Sequence, residues 1–178
     1  MPGTSDHPAI SRVRAAAERK GIDLDVRTFD ESTHTAADAA AAIGCELGQI
    51  VKSLVFVAPR PDGPGQPVVC LVSGPNRVDL SRLAAIVGEP DIRRATAREA
   101  NEATGFVIGG IPPFGYDRPI RVVLDPELSR FPIVWAAAGT PTAVFGVPPA
   151  VLRTLANAEV APLALLEPTA PAPPEVAA

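Results

Sequence analysis

Residues 50–58 read Ile-Val-Lys-Ser-Leu-Val-Phe-Val-Ala, and both alternating faces of this segment are apolar. Ile50, Leu54, Phe56 and Ala58 share one face with Lys52, while Val51, Ser53, Val55 and Val57 form the other. Such a strand cannot lie with one side in water. The pattern predicts a central strand covered on both sides. Lys52 breaks the pattern: a lysine there must find a partner, reach out to water, or line a cleft. The chain has fourteen arginines and two lysines, Lys20 and Lys52, so a compact, rotatable ammonium is kept at this place against the general bias.

The other elements follow from periodicity and punctuation. Pro8 opens a helix in which Ile10, Val13 and Ala17 recur at helical spacing until Gly21. Leu24, Val26 and Thr28 alternate with Asp25 and Arg27 as a half-exposed strand. Thr35 with Asp38, and Thr96 with Glu99, are capping boxes for helices that stop at Gly44 and Gly105. A short helix over 80–87 closes at Gly88, and another runs over 148–156. Strands are expected over 67–73, 119–124, 132–137, 142–146 and 159–165, with loops over 59–66 and 106–115. Helices and strands alternate irregularly, and two strand pairs are close enough to be hairpins. The fold class is therefore mixed α/β: a single compact domain over 8–166, with a mixed, mostly antiparallel sheet and packed helices. Residues 1–7 read as a loose leader, and the Pro/Ala-rich 167–178 as a disordered tail.

Composition removes several classes of function. A chain of 178 residues with 47% hydrophobic and 20% charged side chains has room for one folded domain. Its longest apolar runs, such as 67–72, fall far short of the roughly 20 residues a membrane helix needs, and the N-terminus has no signal-peptide character. The expectation is a cytoplasmic protein with no membrane association. A net charge of −4 and a pI near 5.2 argue against a basic surface that coats duplex nucleic acid, so no DNA partner is expected. Cys45, Cys70, His7 and His34 are too few and scattered for a zinc site, and the glycine-rich nucleotide patterns are absent. Neither metal nor cofactor is expected. Cys70 reads as core.

Three places could carry chemistry. Lys52 is the first. The second is Gly109-Gly110-Ile111-Pro112-Pro113-Phe114-Gly115, where adjacent glycines expose amides that can hold a carbonyl oxygen, or else form a stiff surface turn. The third is the small-residue stretch 136–141, with Ala137 and Gly139, followed by Thr142; it makes room for a packed helix or for a substrate. No Ser/His/Asp set or Cys/His pair is placed to make an activated nucleophile, and Asp125 before Pro126 reads as a turn or helix cap. An enzyme built on these residues works by positioning and backbone electrostatics.

Taken in order, the segments 35–44, 50–56, 73–83, 104–115 and 135–141 resemble the YbaK/prolyl-tRNA-synthetase-associated domain family, the ProX-like aminoacyl-tRNA deacylases. These are freestanding relatives of the editing domain inserted in bacterial prolyl-tRNA synthetases, and the resemblance covers about 8–166. It implies hydrolysis of the ester of mischarged tRNA, with Lys52 contacting the tRNA 3′ end around the scissile ester. Gly110 would belong to the loop whose amides hold the aminoacyl carbonyl. The acidic pI then implies that only the acceptor end is gripped, or that a synthetase or elongation factor presents the tRNA. Members acting on Cys-tRNA carry Ser and Asp where Ala137 and Val144 stand here; others carry His where this chain has Thr142. Those departures leave the amino acid open, together with a second reading: a non-catalytic module that binds aminoacyl-tRNA or a synthetase. The expected amino-acid pocket lies between 33–35, the 50–58 strand and 136–142. Phe29, Leu54 and Ala137 give apolar contact, Thr35, Ser53 and Thr142 give hydroxyls, and His34, Gly109, Ile111, Pro112 and Gly139 lie close by. Such a pocket suits a small, uncharged side chain such as Ala or 2-aminobutyrate.

Overall fold

The computed structural model describes residues 6–31 and 35–165; the expected tail, the first five residues of the leader, and His34 lie outside the described residues. Five α-helices are present among them: α1 (Pro8–Glu18), α2 (Ala36–Ile43), α3 (Leu80–Val87), α4 (Ala97–Thr104) and α5 (Pro149–Ala156). The strands are β1 (Val26–Thr28), β2 (Val51–Arg60), β3 (Gly63–Ser73), β4 (Arg93–Arg94), β5 (Arg121–Leu124), β6 (Val134–Ala137), β7 (Ala143–Val147) and β8 (Glu159–Val160). The helix signals act as their chemistry requires. Thr35 and Thr96 each accept from the third helical amide while Asp38 and Glu99 accept from the cap's own N–H. Asp6 and His7, at the end of the expected leader, are tied to α1: Asp6 pairs with Arg14 at 2.7 Å, and His7 Nδ1 accepts from Ala9 N–H.

The strands divide between two sheets. Five form the order β4-β2-β3-β5-β8, antiparallel from β4 to β3 and parallel from β3 to β8; three form the antiparallel order β1-β7-β6. The sheets meet at a parallel bridge between Ile50 and Trp135. β2 is covered on both faces, as its sequence demands. Val51, Val55 and Val57 enter a core with α1, α4, α5 and the smaller sheet; Phe56 joins Val68, Cys70 and Val72 in a second core under α3.

Three expectations about the chain path change. The 59–66 loop is a tight hairpin instead: β2 continues to Arg60 and β3 resumes at Gly63, with a register shift between Ala58 and Arg60. Its prolines are tolerated because they sit at the exposed, irregular end of the ladder. β4 is a two-residue strand with no period for a pattern to reveal. The strand expected over 159–165 shortens to β8, because the chain turns at 161 to dock on Asp125, whose carboxylate accepts from the amides of Leu163 and Ala164. Asp125 also caps the 3-10 turn that follows it through Glu127 N–H, in keeping with its reading as a cap.

Candidate active site

β4 pairs with β2 only at Phe56 and Val57, which leaves the margin of β2 from Val51 to Leu54 open. A cavity of about 250 Å³ lies against that margin. α2 closes one side with Thr35, Ala36 and Ala39; β6 and β7 supply Trp135, Ala137 and Val144; the glycine loop contributes Ile108, Gly109 and Ile111. Lys52, Ser53, Leu54 and Arg94 complete the wall. Among the described residues no carboxylate lines it.

Lys52 is half-buried and donates to the Asn76 carbonyl at 2.5 Å. Burial lowers its pKa below the ordinary lysine value, and the Arg94 and Arg77 guanidiniums push it further in the same direction. The Ser53 hydroxyl is buried with no hydrogen-bond partner among the described residues. Thr35 faces the cavity, but its hydroxyl accepts from Asp38 N–H as the cap of α2.

Several residues expected at the site stand elsewhere, each for a visible reason. The Gly110 amide donates to the Val107 carbonyl at 3.0 Å and so closes a turn within the loop. It is not available to a ligand. Gly110 is glycine because a Cβ there would come within 2.7 Å of Thr140 Cα, where two backbones touch. The amides of Gly109 and Ile111, on either side of it, have no protein partner among the described residues, and both residues line the cavity. Gly139 has φ of +105° and packs under α1, where a Cβ would meet the Ala9 carbonyl oxygen at 2.7 Å. Thr142 and Phe29 join the end of β1 to the turn before β7: Phe29 N–H donates to the Thr142 carbonyl, and the Thr142 hydroxyl lies 3.3 Å from that of Thr140. Pro112 is buried beneath the loop, its carbonyl accepting from Tyr116 O–H. Phe29, Gly110, Pro112, Gly139 and Thr142 thus support the cavity without lining it. Arg94 and Asn76 were not anticipated; only the pairing of β4 with β2, Phe56 opposite Arg94, brings Arg94 to the cavity. Among the described residues no three His, Cys, Asp or Glu side chains gather to hold a metal, and no helix is long and apolar enough to cross a membrane.

A compact α/β domain with a lysine at a small, apolar cavity beside a glycine loop defines a class. Residues 30–155 match the aminoacyl-tRNA editing domain, and the chain belongs to that family. It is 33% identical to the uncharacterized protein YwhH of Bacillus subtilis over 85% of this chain and 94% of that one. It is also 33% identical to the multifunctional Ser/Thr-tRNA deacylase ProXp-y of Escherichia coli K12, over 72% of this chain and 76% of that one. A crystal structure described as a trans-editing enzyme for prolyl-tRNA synthetase superposes with a TM-score of 0.82 at 46% identity, covering 90% of this chain and 99% of that chain.

Proposed function

We propose that this aminoacyl-tRNA deacylase removes small, uncharged amino acids from mischarged tRNA, with the amino-acid side chain held in the cavity against β2. The observation that carries the reading is Lys52 at a cavity of about 250 Å³ whose remaining wall is mostly Ala, Val, Ile and Leu. A charged side chain would find no carboxylate there, and a cationic one would meet Lys52 and Arg94. Ser53 adds a buried hydroxyl that a hydroxylated amino acid can satisfy.

The chemistry needs little from the protein. Water attacks the ester carbonyl carbon; the carbonyl oxygen, as it gains charge, is held by the free amides of Gly109 and Ile111 and by the Lys52 ammonium. The bond to the ribose oxygen then breaks, releasing the amino acid and a tRNA with an intact 3′ hydroxyl. Among the described residues, Lys52 and Arg94 are the titratable groups lining the cavity, and neither is a general base at neutral pH in its charged form. The vicinal ribose hydroxyl of the substrate therefore relays the proton from water to leaving oxygen.

A single-turnover deacylation panel tests this, using tRNA-Pro and a few other tRNAs charged with Ala, Ser, Thr, Cys, 2-aminobutyrate, Asp and Lys. The small, uncharged set is hydrolysed and the Asp and Lys esters persist. Ala137→Leu, which intrudes on the cavity, slows the larger members first, by the 10–200-fold that about 1–3 kcal/mol per methylene allows. Comparable rates for Ala, Asp and Lys esters would overturn the pocket assignment.

A further inference from the structure

The charges of this acidic protein are unevenly matched. Seven arginines, Arg12, Arg14, Arg60, Arg82, Arg93, Arg98 and Arg121, each pair with a carboxylate. The other seven have no carboxylate partner among the described residues, and two of these, Arg94 and Arg77, lie near Lys52. Lys52 itself donates only to a carbonyl. Glu127 accepts from the side-chain amide of Asn76, the residue before Arg77. Arg93, one residue from Arg94, is bound bidentately by Glu99 at 2.8 and 2.9 Å and turned away, which leaves Arg94 lying over the Phe56 ring, 5.5 Å from its centroid.

Lys52 and Arg94 thus share the wall of one cavity, and Arg77 is near enough to join Arg94 in disfavouring the charge on Lys52. Such an arrangement costs free energy in the empty protein and is relieved by an anion. Resting on the reading that the substrate is a charged tRNA, we propose that Arg94, assisted by Arg77, grips the phosphodiester that joins the last two nucleotides of the acceptor strand, leaving Lys52 for the ester. A planar guanidinium presents two parallel donors to phosphate oxygens, and the Phe56 face holds it flat. This reconciles an acidic chain with a polyanionic partner: recognition needs one local cationic mouth, while the chain as a whole stays acidic.

The test compares two substrates carrying the same amino acid: a charged acceptor-stem minihelix, which has the phosphodiester, and 3′-aminoacyl-adenosine, which has none. Arg94→Ala raises KM for the minihelix at least tenfold, and this loss exceeds that on aminoacyl-adenosine by at least tenfold. The slope of log(kcat/KM) against log[salt] shrinks by about 0.7, the value for one contact to a single strand. Arg94→Lys recovers the slope but only part of the affinity, and Arg98→Ala, which removes an equal charge that is exposed, paired with Glu102 and outside the cavity wall, leaves the slope as it is. Equal losses on both substrates, or an unchanged slope, would overturn the proposal. If the wild type hydrolyses neither substrate, the deacylase reading fails separately. Binding of uncharged minihelix RNA then decides, with the same slope difference between wild type and Arg94→Ala supporting the grip and its absence ending it.

Discussion

Lys52 sits where a strand with two apolar faces brings a cation to the edge of a cavity, anchored by one carbonyl and crowded by two guanidiniums. Its place at the cavity was legible because a lysine in such a segment contradicts everything around it. Lys52→Ala should leave the fold intact, since the side chain is only half-buried, and should cost about 10²–10³ in single-turnover rate if its charge meets the developing oxyanion. Lys52→Arg should recover little, because a third guanidinium would enter the field of Arg94 and Arg77. Turnover at the wild-type level in the arginine variant would reduce Lys52 to a general anion contact. Gly110 shows the opposite outcome. A glycine pair announces amides, but which amide is free depends on the turn that the pair adopts. Here Gly110 N–H is spent on Val107, and the amides left without a partner among the described residues are those of its neighbours, Gly109 and Ile111. Gly110→Ala should therefore lower stability by about 1–3 kcal/mol, as overpacking does, with activity falling alongside. Melts at the wild-type temperature with a lost rate would instead return Gly110 to direct catalysis.

Elements whose ends carry their own hydrogen-bonding groups were readable, and those made only by pairing were not. The two capping boxes and the glycines that end α2, α3 and α4 stand where the sequence places them, because a cap is a local bond between residues three apart. β4 is two residues long and exists only because β2 offers it an edge, so neither it nor Arg94 could be foreseen. Asp125 was half legible: its local cap is a sequence signal, whereas its grip on Leu163 and Ala164 needs the chain to return from 38 residues away. Glu99 gives the element scale its prediction. Arg93, and then the Thr96 amide, hold its carboxyl down to about 2. A depressed folded-state pKa contributes stability that is present above the ordinary value of 4.5 and lost as pH falls toward 2. Glu99→Gln should be the less stable protein at neutral pH by urea denaturation, and its deficit should close across that window. A deficit independent of pH would show that the carboxylate's charge plays no part in holding α4.

The division of eight strands into two sheets was not legible, because sequence periodicity reports which faces are buried and not which strand lies beside which. What could be read was that β2 is covered on both sides and that Cys70 of β3 lies in the core, and this has a consequence for the whole molecule. Val69 and Leu71 of β3 belong to the core shared with the smaller sheet, while Val68, Cys70 and Val72 belong to the core under α3. β3 therefore contributes to both cores, as β2 and β5 also do, and it lies between those two strands. Cys70 has no exposed surface, and burial pushes its thiol up to about 12, so two barriers to alkylation, access and ionisation, vanish together only when both cores open. Cys45, just past the glycine that ends α2, is half-buried; burial raises its thiol too, but part of its surface reaches solvent in the folded protein. With a thiol reagent in native buffer, Cys45 should label directly. Cys70 should label at a rate set by the opening equilibrium, its free energy falling linearly with urea and extrapolating to the same value as the global transition seen by circular dichroism. Labelling of Cys70 through a denaturant-independent opening, well below the global free energy, would mean that the layer under α3 can part while the cavity side remains folded, and that the two cores are separate cooperative units.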